Sequence, residues 1–328
     1  MTTILALETS CDETAAAVYV RGRGIVGEHV RGQSARHKPF GGVVPELAAR
    51  DHLRAVLPMV DALMKHTGAK PSHIAYTAGP GLAGALFAGA AFACALAFAR
   101  GLPPVAVNHL EGHLLSPLLA EPHLAFPYTA LLISGGHTQL WRAAAPRKYQ
   151  LLGATMDDSA GEALDKTALL LGAGINGADL ERLATFGDAR RFKLPSPAQR
   201  DLQFSFSGIK TAARRLRQKH PQSNADIAAV MQFAVADGLA KQARQALMQT
   251  GDKVFAAVGG VAQNQTVKAA LNKAAQQSGA RCITPHARHC GDNAAMIALA
   301  ADTIIKENPP PKDYAFRINP RWQPGGRL

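Results

Sequence analysis

Acidic residues are scarce in this chain: 24 aspartates and glutamates face 36 lysines and arginines, for a net charge of +12. A surplus of that size favours a polyanionic partner, nucleic acid foremost, although basicity alone does not show binding. Cysteine is scarce too. Cys11, Cys94, Cys282 and Cys290 form no C-x-x-C pair, which argues against a disulfide framework and fits reduced thiols in a cytoplasmic protein. The opening Met1–Leu7 carries no basic segment and no cleavage site, so nothing there marks the chain for export. Long apolar runs are nearly lacking. One uncharged segment, Leu82 to Ala99, is mostly alanine with glycine, so its transfer into lipid is weakly favoured and a helix packed inside the protein is expected. No membrane association is expected. What remains, 47% hydrophobic and 18% charged residues over 328 positions, describes a globular chain with room for two domains.

An H-E-x-x-H is also missing, yet two histidines stand in Asn108-His109-Leu110-Glu111-Gly112-His113. Four residues apart on a helix, His109 and His113 project from one face within reach of a shared metal ion. Glu111 is turned away from that face, badly placed to act as base on a metal-bound water, which counts against a metallopeptidase. Far along the chain, Asp292 precedes a helix expected from Ala295 to Ile305, where an N-cap or a metal-facing carboxylate would sit. Together the three make a two-histidine, one-carboxylate set with open positions for substrate.

Glycine turns recur. Ile4–Leu7 and Ala15–Val20 read as a hairpin whose turn, Glu8 to Thr14, is filled with hydroxyls and carboxylates. Ala130–Ile133 and Gln139–Trp141 flank a second turn, Ser134-Gly135-Gly136-His137-Thr138, and Val254–Val258 runs into Gly259-Gly260 and then a helix N-terminus suited to an anion. The set suggests a duplicated α/β fold with a nucleotide cleft between lobes. Pro103-Pro104 marks the expected boundary. Asp158, Glu162 and Asp165 fall on one helical face, where a solvated surface and a sugar-orienting cluster are the alternatives. From Lys210 through Arg214, Arg215 and Arg217 to Lys219, a basic helix is expected to meet phosphates or solvent.

In order along the chain, Glu8-Thr9-Ser10-Cys11-Asp12-Glu13-Thr14, Gly41-Gly42-Val43-Val44-Pro45-Glu46, Ala78-Gly79-Pro80-Gly81-Leu82, the His109/His113 stretch, Ser134-Gly135-Gly136-His137-Thr138, Phe204-Ser205-Phe206-Ser207-Gly208, Gly259-Gly260-Val261 with Asn264, and Gly291-Asp292-Asn293 resemble one family. It is that of the tRNA N6-adenosine threonylcarbamoyltransferases, once called O-sialoglycoprotein endopeptidases. The resemblance implies a two-lobed fold of the actin, Hsp70 and sugar-kinase kind with duplicated RNase-H-like subdomains. The lobes are expected at 1–104, with the tail 300–328 packed on it, and 105–299, which would carry the metal and nucleotide site. The implied reaction moves threonylcarbamoyl from its adenylate to the N6 amine of the adenosine beside the anticodon, in tRNAs reading codons that begin with adenine, and releases AMP.

By matching position, His109, His113 and Asp292 would hold one divalent metal, expected to be Fe2+ with Zn2+ or Mn2+ as alternatives. Leu132, Ile133, Ser134, Gly135, Gly136, Asp165, Gly177, Glu181 and Asn264 would hold the adenylate. Asp12 or Glu13 is the candidate to assist or orient the attacking amine. The family's partners are an inactive relative of the enzyme and a P-loop ATPase. A sugar or acyl kinase of the same superfamily is the competing reading, but it has no need of the histidine pair. One departure stands out. Where the family has Tyr-Pro-Gly-Gly-Pro, this chain has Gly174-Ile175-Asn176-Gly177-Ala178-Asp179, so the loop cupping the adenosine should differ in shape. Without proline it should be loose until nucleotide binds, and a proline at Ile175 is expected to stiffen it.

Overall fold

Each of two five-stranded sheets begins as an antiparallel meander and is completed by two parallel strands. In the first, β1 (Thr3–Glu8), β2 (Glu13–Val20) and β3 (Gly24–Gly32) form the meander. The short α1 (Ser34–His37) and long α2 (Pro45–Thr67) lead to β4 (His73–Gly79), which pairs parallel with β1. Helix α3 (Ala83–Arg100) crosses to β5 (Pro104–Asn108), giving the order β3-β2-β1-β4-β5, and α4 (His109–Leu115) and α5 (Pro117–Ala120) follow. The second sheet repeats the plan. The meander β6 (Tyr128–Ile133), β7 (Thr138–Ala145) and β8 (Lys148–Ala154) is followed by α6 (Ala160–Leu171), α7 (Gly177–Ala184), α8 (Ser207–Lys219) and α9 (Asn224–Thr250). Then come β9 (Val254–Val258), α10 (Gln265–Gln277) and β10 (Arg281–Ile283), in the order β10-β9-β6-β7-β8, before α11 (Ala294–Glu307). The expected hairpins and the duplicated α/β plan are therefore present. This is a computed structural model, and it describes every residue except Arg327.

The units are Met1–Pro122 with Asp292–Leu328, and His123–Gly291. Pro103-Pro104 is not the boundary. Pro104 opens β5 and is paired with Ile74, the first position of an outer strand, where a missing N–H costs least. The first unit thus keeps α4, leaves after Pro122 and is resumed at Asp292, so all three candidate metal ligands belong to it and not to the second lobe.

In the first unit, Leu5, Leu7, Ala16, Val18, Ile74 and Tyr76 face Val56, Val60 and Leu63 of α2 and Ala90, Ala93 and Ala97 of α3. Side chains alternate along a strand, so the intervening Ile4, Ala6, Ala15 and Ala17, all fully buried, point to the other face, where α11 packs. Helix α3 is long and apolar enough to cross a membrane by composition, but its alanine face is core. Its outward Phe87 and Phe98 meet Phe316 and Tyr314 of the C-terminal tail edge-on, at 5.2 and 5.3 Å between ring centres. In the second unit, Leu131, Ile133 and Leu140 pack with α6 and α9 around Phe204 and Phe206.

Candidate active site and metal centre

Helix α4 starts where β5 ends because Asn108 caps it: its side-chain oxygen accepts from the N–H groups of Leu110 and Glu111, at 3.0 and 3.1 Å. The amide of the same side chain donates to the Trp322 carbonyl at 3.1 Å, so the tail holds the cap. One turn later Gly112 lies against α11; a Cβ there would come within 3.1 Å of Met296 and Ile297. That close approach brings the start of α11 to α4. Asn293 caps α11 by accepting from the Met296 N–H, and Asp292, one residue earlier, faces the histidines.

The Nε2 atoms of His113 and His109 lie 3.0 and 3.5 Å from Asp292 Oδ1, and one ligand atom from each of the three residues falls within 4.8 Å of the others. The rings stand at 88° with centres 4.7 Å apart. Behind His109, the Nδ1–H donates to Glu8 Oε2 at 3.0 Å, and Thr77 Oγ1 donates to the same oxygen at 2.6 Å. Glu8 is fully buried at the end of β1. Such a carboxylate fixes the tautomer so that Nε2 is left as the ligand, the arrangement that metal-bound histidines use. His113 Nδ1 is buried and has no hydrogen-bond partner among the described residues. A donor set of this kind suits a divalent ion of imidazole and carboxylate preference.

Charge is shared tightly here. Burial works against a proton on His109, but Asp292 and Glu8 outweigh it and hold the pKa well above that of a free imidazole. Burial would raise Asp292, yet the two histidines hold it well below the usual carboxylate range. His113 is lowered, burial being the main cause.

The β1–β2 turn that carries Asp12 and Glu13 is seated by glycines. A Cβ on Gly89 would come 2.1 Å from Thr9 Oγ1, and one on Gly81, at φ +155°, 2.5 Å from the Ser10 carbonyl. Buried His52 donates through Nε2 to the Cys11 carbonyl at 3.0 Å while its Nδ1 meets Thr14 Oγ1 at 2.8 Å. Burial, then Asp292 and Asp12, push Glu13 up to about 9. A carboxyl that is neutral at pH 7 donates a hydrogen bond and does not take a proton. Of the two candidates, that counts against Glu13 as a base.

In the second unit, the β6–β7 turn closes on itself: the Ser134 N–H donates to the His137 carbonyl, and the His137 N–H to Ser134 Oγ. Ser159, capping α6, donates to the Gly135 carbonyl at 2.5 Å. A Cβ on Gly135, Gly136 or Gly260 would meet nothing within 4 Å, so these backbones border open space. Leu132 and Ile133 are fully buried side chains of β6, and toward that space they can offer only backbone. Gly177 opens α7 and Asn264 caps α10, while Asp165 within α6 and Glu181 within α7 reach to these two helix starts. Asp165 Oδ1 accepts from the Gly177 N–H at 2.6 Å, Glu181 Oε1 from the Gln265 N–H at 2.7 Å, and Asn264 Oδ1 from the Val267 N–H at 3.0 Å. The Gly174–Asp179 loop is tied, not loose, since Asp179 Oδ2 also accepts from the Ile175 N–H at 2.9 Å. A proline at Ile175 would remove that donor.

The acidic cluster is occupied internally. Asp158 pairs with Lys210 at 2.5 Å, and Glu162 with Lys166 at 2.5 Å. Asp157 accepts from Ser205, Ser207 and the Phe206 N–H at the start of α8. Lys210 therefore leaves the expected basic patch, and Arg217 turns back to the Pro221 carbonyl, while Arg214, Arg215 and Lys219 remain exposed. Glu8 had no role in the sequence reading; its burial on a strand end beside His109 is a contact between residues far apart in the chain.

A duplicated actin-like α/β fold bearing a two-histidine, one-carboxylate centre defines the class. Full-length HypF in its phosphate- and nucleotide-bound form shares the fold at TM-score 0.63, with 13% identity over 94% of this chain and 47% of that one. The Acidaminococcus fermentans (R)-2-hydroxyglutaryl-CoA dehydratase component A does so at TM-score 0.56, with 16% identity over 93% and 100%. Within that class, residues 24–299 match the model of the tRNA N6-adenosine threonylcarbamoyltransferase family. Curated enzymes of that name from Bordetella parapertussis and Nitrosomonas eutropha are each 47% identical to the chain, over 97% of it and 97% and 98% of their own lengths. The chain belongs to this family of transferases.

Proposed function

We propose that the protein transfers the threonylcarbamoyl group of threonylcarbamoyl-AMP to the N6 amine of the adenosine beside the anticodon, in tRNAs reading codons that begin with adenine. A C–N bond forms at the carbamoyl carbon, its bond to the phosphate oxygen breaks, and AMP leaves. The observation that carries this reading is the convergence of buried His109 and His113 with the partly exposed Asp292, in a chain aligned with its curated relatives over nearly their whole length. When bound there, a divalent ion, Fe2+ foremost, supplies Lewis acidity toward phosphate or carbonyl oxygens.

The rest falls to the chain. Glu8 holds His109 in the tautomer that presents Nε2. The Gly135 and Gly136 backbone of the β6–β7 turn borders open space and offers N–H groups to the leaving phosphate, without side-chain bulk. Asp165, Gly177, Glu181 and Asn264 border the adenosine. Asp12 and Glu13, on the β1–β2 turn, orient the attacking amine or assist its loss of a proton. An inactive relative and a P-loop ATPase are the proposed protein partners. The test is purified chain with threonylcarbamoyl-AMP and unmodified tRNA, with and without chelator, read by AMP release and by mass spectrometry of tRNA nucleosides. AMP release without modified adenosine would refute it.

A further inference from the structure

A second recess lies away from the turns just described, on α9. Val230, Phe233, Ala234 and Asp237 line it at the spacing of one helical face, and Phe192 and Leu194 close it from a segment that runs along the helix. Its volume is about 320 Å³. The segment is pinned at both ends. At Gly187 a Cβ would lie 2.1 Å from the Ala225 carbonyl, and at Gly238 one would lie 2.4 Å from Pro197. Asp226 adds to the first anchor, accepting from the Asp188 N–H at 2.8 Å and pairing with Arg191 at 2.7 Å. The recess is what two fixed anchors leave between them.

Its walls and rim differ in kind. Phe233 is 53% exposed at the centre of the α9 face, so its ring is open to a flat ligand. Phe192 lies under the Arg191 guanidinium, 5.6 Å from the ring centre, with the His220 ring at 4.9 Å on a 37° tilt. Arg190 and Lys193 stand on the rim, exposed, and neither has an ion pair among the described residues. Asp237 is the one carboxylate of the lining, and as an acceptor it suits an exocyclic amine rather than a phosphate. Aromatic floor, cationic rim and a single acceptor together are the chemistry that receives an unstacked nucleobase with its phosphates outside.

We infer that this recess on α9 binds an unpaired nucleotide of the tRNA other than the one modified, with the base against Phe233 and the flanking phosphates on Arg190 and Lys193. The inference rests on the tRNA reading above and extends it to a docking surface of the second unit. A base outside any duplex is required, since a stacked one cannot present its face to Phe233.

The experiment measures binding of unmodified tRNA to the full chain by fluorescence anisotropy over a range of salt. Phe233→Ala is expected to weaken binding about five- to 150-fold with no change in salt slope, because stacking is lost and no phosphate contact is. The double variant Arg190→Ala/Lys193→Ala is expected to weaken binding and reduce the slope of log K against log salt by about 1.4. Both should keep wild-type AMP binding and thermal unfolding. Variants that fold and bind tRNA as the wild type does would overturn the inference, and would mark the recess as a seat for a protein instead. Wild-type protein that binds no tRNA, alone or with its partner proteins, would instead refute the function itself.

Discussion

Replacing Glu8 by glutamine keeps shape and volume while removing one of the two carboxylates that grip His109. Residues that orient a metal-ligating histidine are worth about 10–100-fold in metal affinity, or about 1.4–2.7 kcal/mol. The upper part of that range is expected, because Glu8 is 0% exposed and water cannot take its place. The loss should depend on pH in a particular direction. In the metal-free protein Asp292 and Glu8 overcome burial to keep His109 protonated well above the usual imidazole range. A metal must displace that proton, so wild-type affinity should rise about tenfold per pH unit below the His109 pKa. In the Glu8→Gln variant that pKa falls, competition from the proton weakens, and the rise becomes shallower. The variant's deficit is therefore smallest at about pH 6.5 and widens toward about pH 8.5, where the lost ligand basicity is fully expressed. Competition against a fluorescent chelator, with Zn2+ or Mn2+ as the probe, measures both quantities. His109→Ala, which removes a ligand outright, should lose metal at every pH while circular dichroism shows it folded. A Glu8→Gln protein that matches wild type in affinity and in slope would refute the reasoning.

Glu13→Gln should become more stable than wild type as pH rises. The folded Glu13 keeps its proton to about pH 9 and the unfolded one loses it near pH 4.5, so wild-type stability falls across that window. Between pH 6 and 8 the gap in the metal-free protein should open by up to about 2.7 kcal/mol in urea titrations, and an unchanged gap would deny the buried proton. Ile175→Pro should lower stability by about 1–3 kcal/mol, through loss of the N–H donated to the Asp179 carboxylate. A thermal melt at or above wild type would show that the loop does not depend on that bond. Asn108→Ala should cost about 0.5–2 kcal/mol as a lost cap and, by releasing Trp322, make the tail more open to limited proteolysis. Equal cleavage rates would mean the tail is held by its aromatic contacts alone.

What could be read from the sequence was local or rested on order. The two histidines one turn apart, the glycine turns and the strands beside them follow from spacing, and the structure places each where spacing puts it. Asp292 was legible only as one of two alternatives, an N-cap or a metal-facing carboxylate; Asn293 takes the cap and Asp292 meets the histidines. The boundary was not legible: Pro103-Pro104 looks like a linker until Pro104 is seen paired with Ile74, a contact that no local pattern encodes. Likewise Lys210 belongs to a basic run by composition, and only the fold brings Asp158 to it. Asp165, Glu181 and Asn264 carry no sequence mark of being tied to helix N-terminal N–H groups. Nor does the loop at Gly174 reveal that Asp179 supplies the restraint a proline would have given.

The first unit is assembled from both ends of the chain, and this sets an order of events during synthesis. His113 and Asp292 are separated by 179 positions, and everything between Pro122 and Asp292 belongs to the other unit. At ~5–20 residues per second the ribosome needs roughly 9–36 s to add that length. During that interval β1 to β5 and the histidines exist without α11, without the strap that reaches Asn108, and without the third metal ligand, while the second unit can close on its own contiguous chain. The nascent chain therefore presents at most two of the three candidate ligands until Asp292 has emerged.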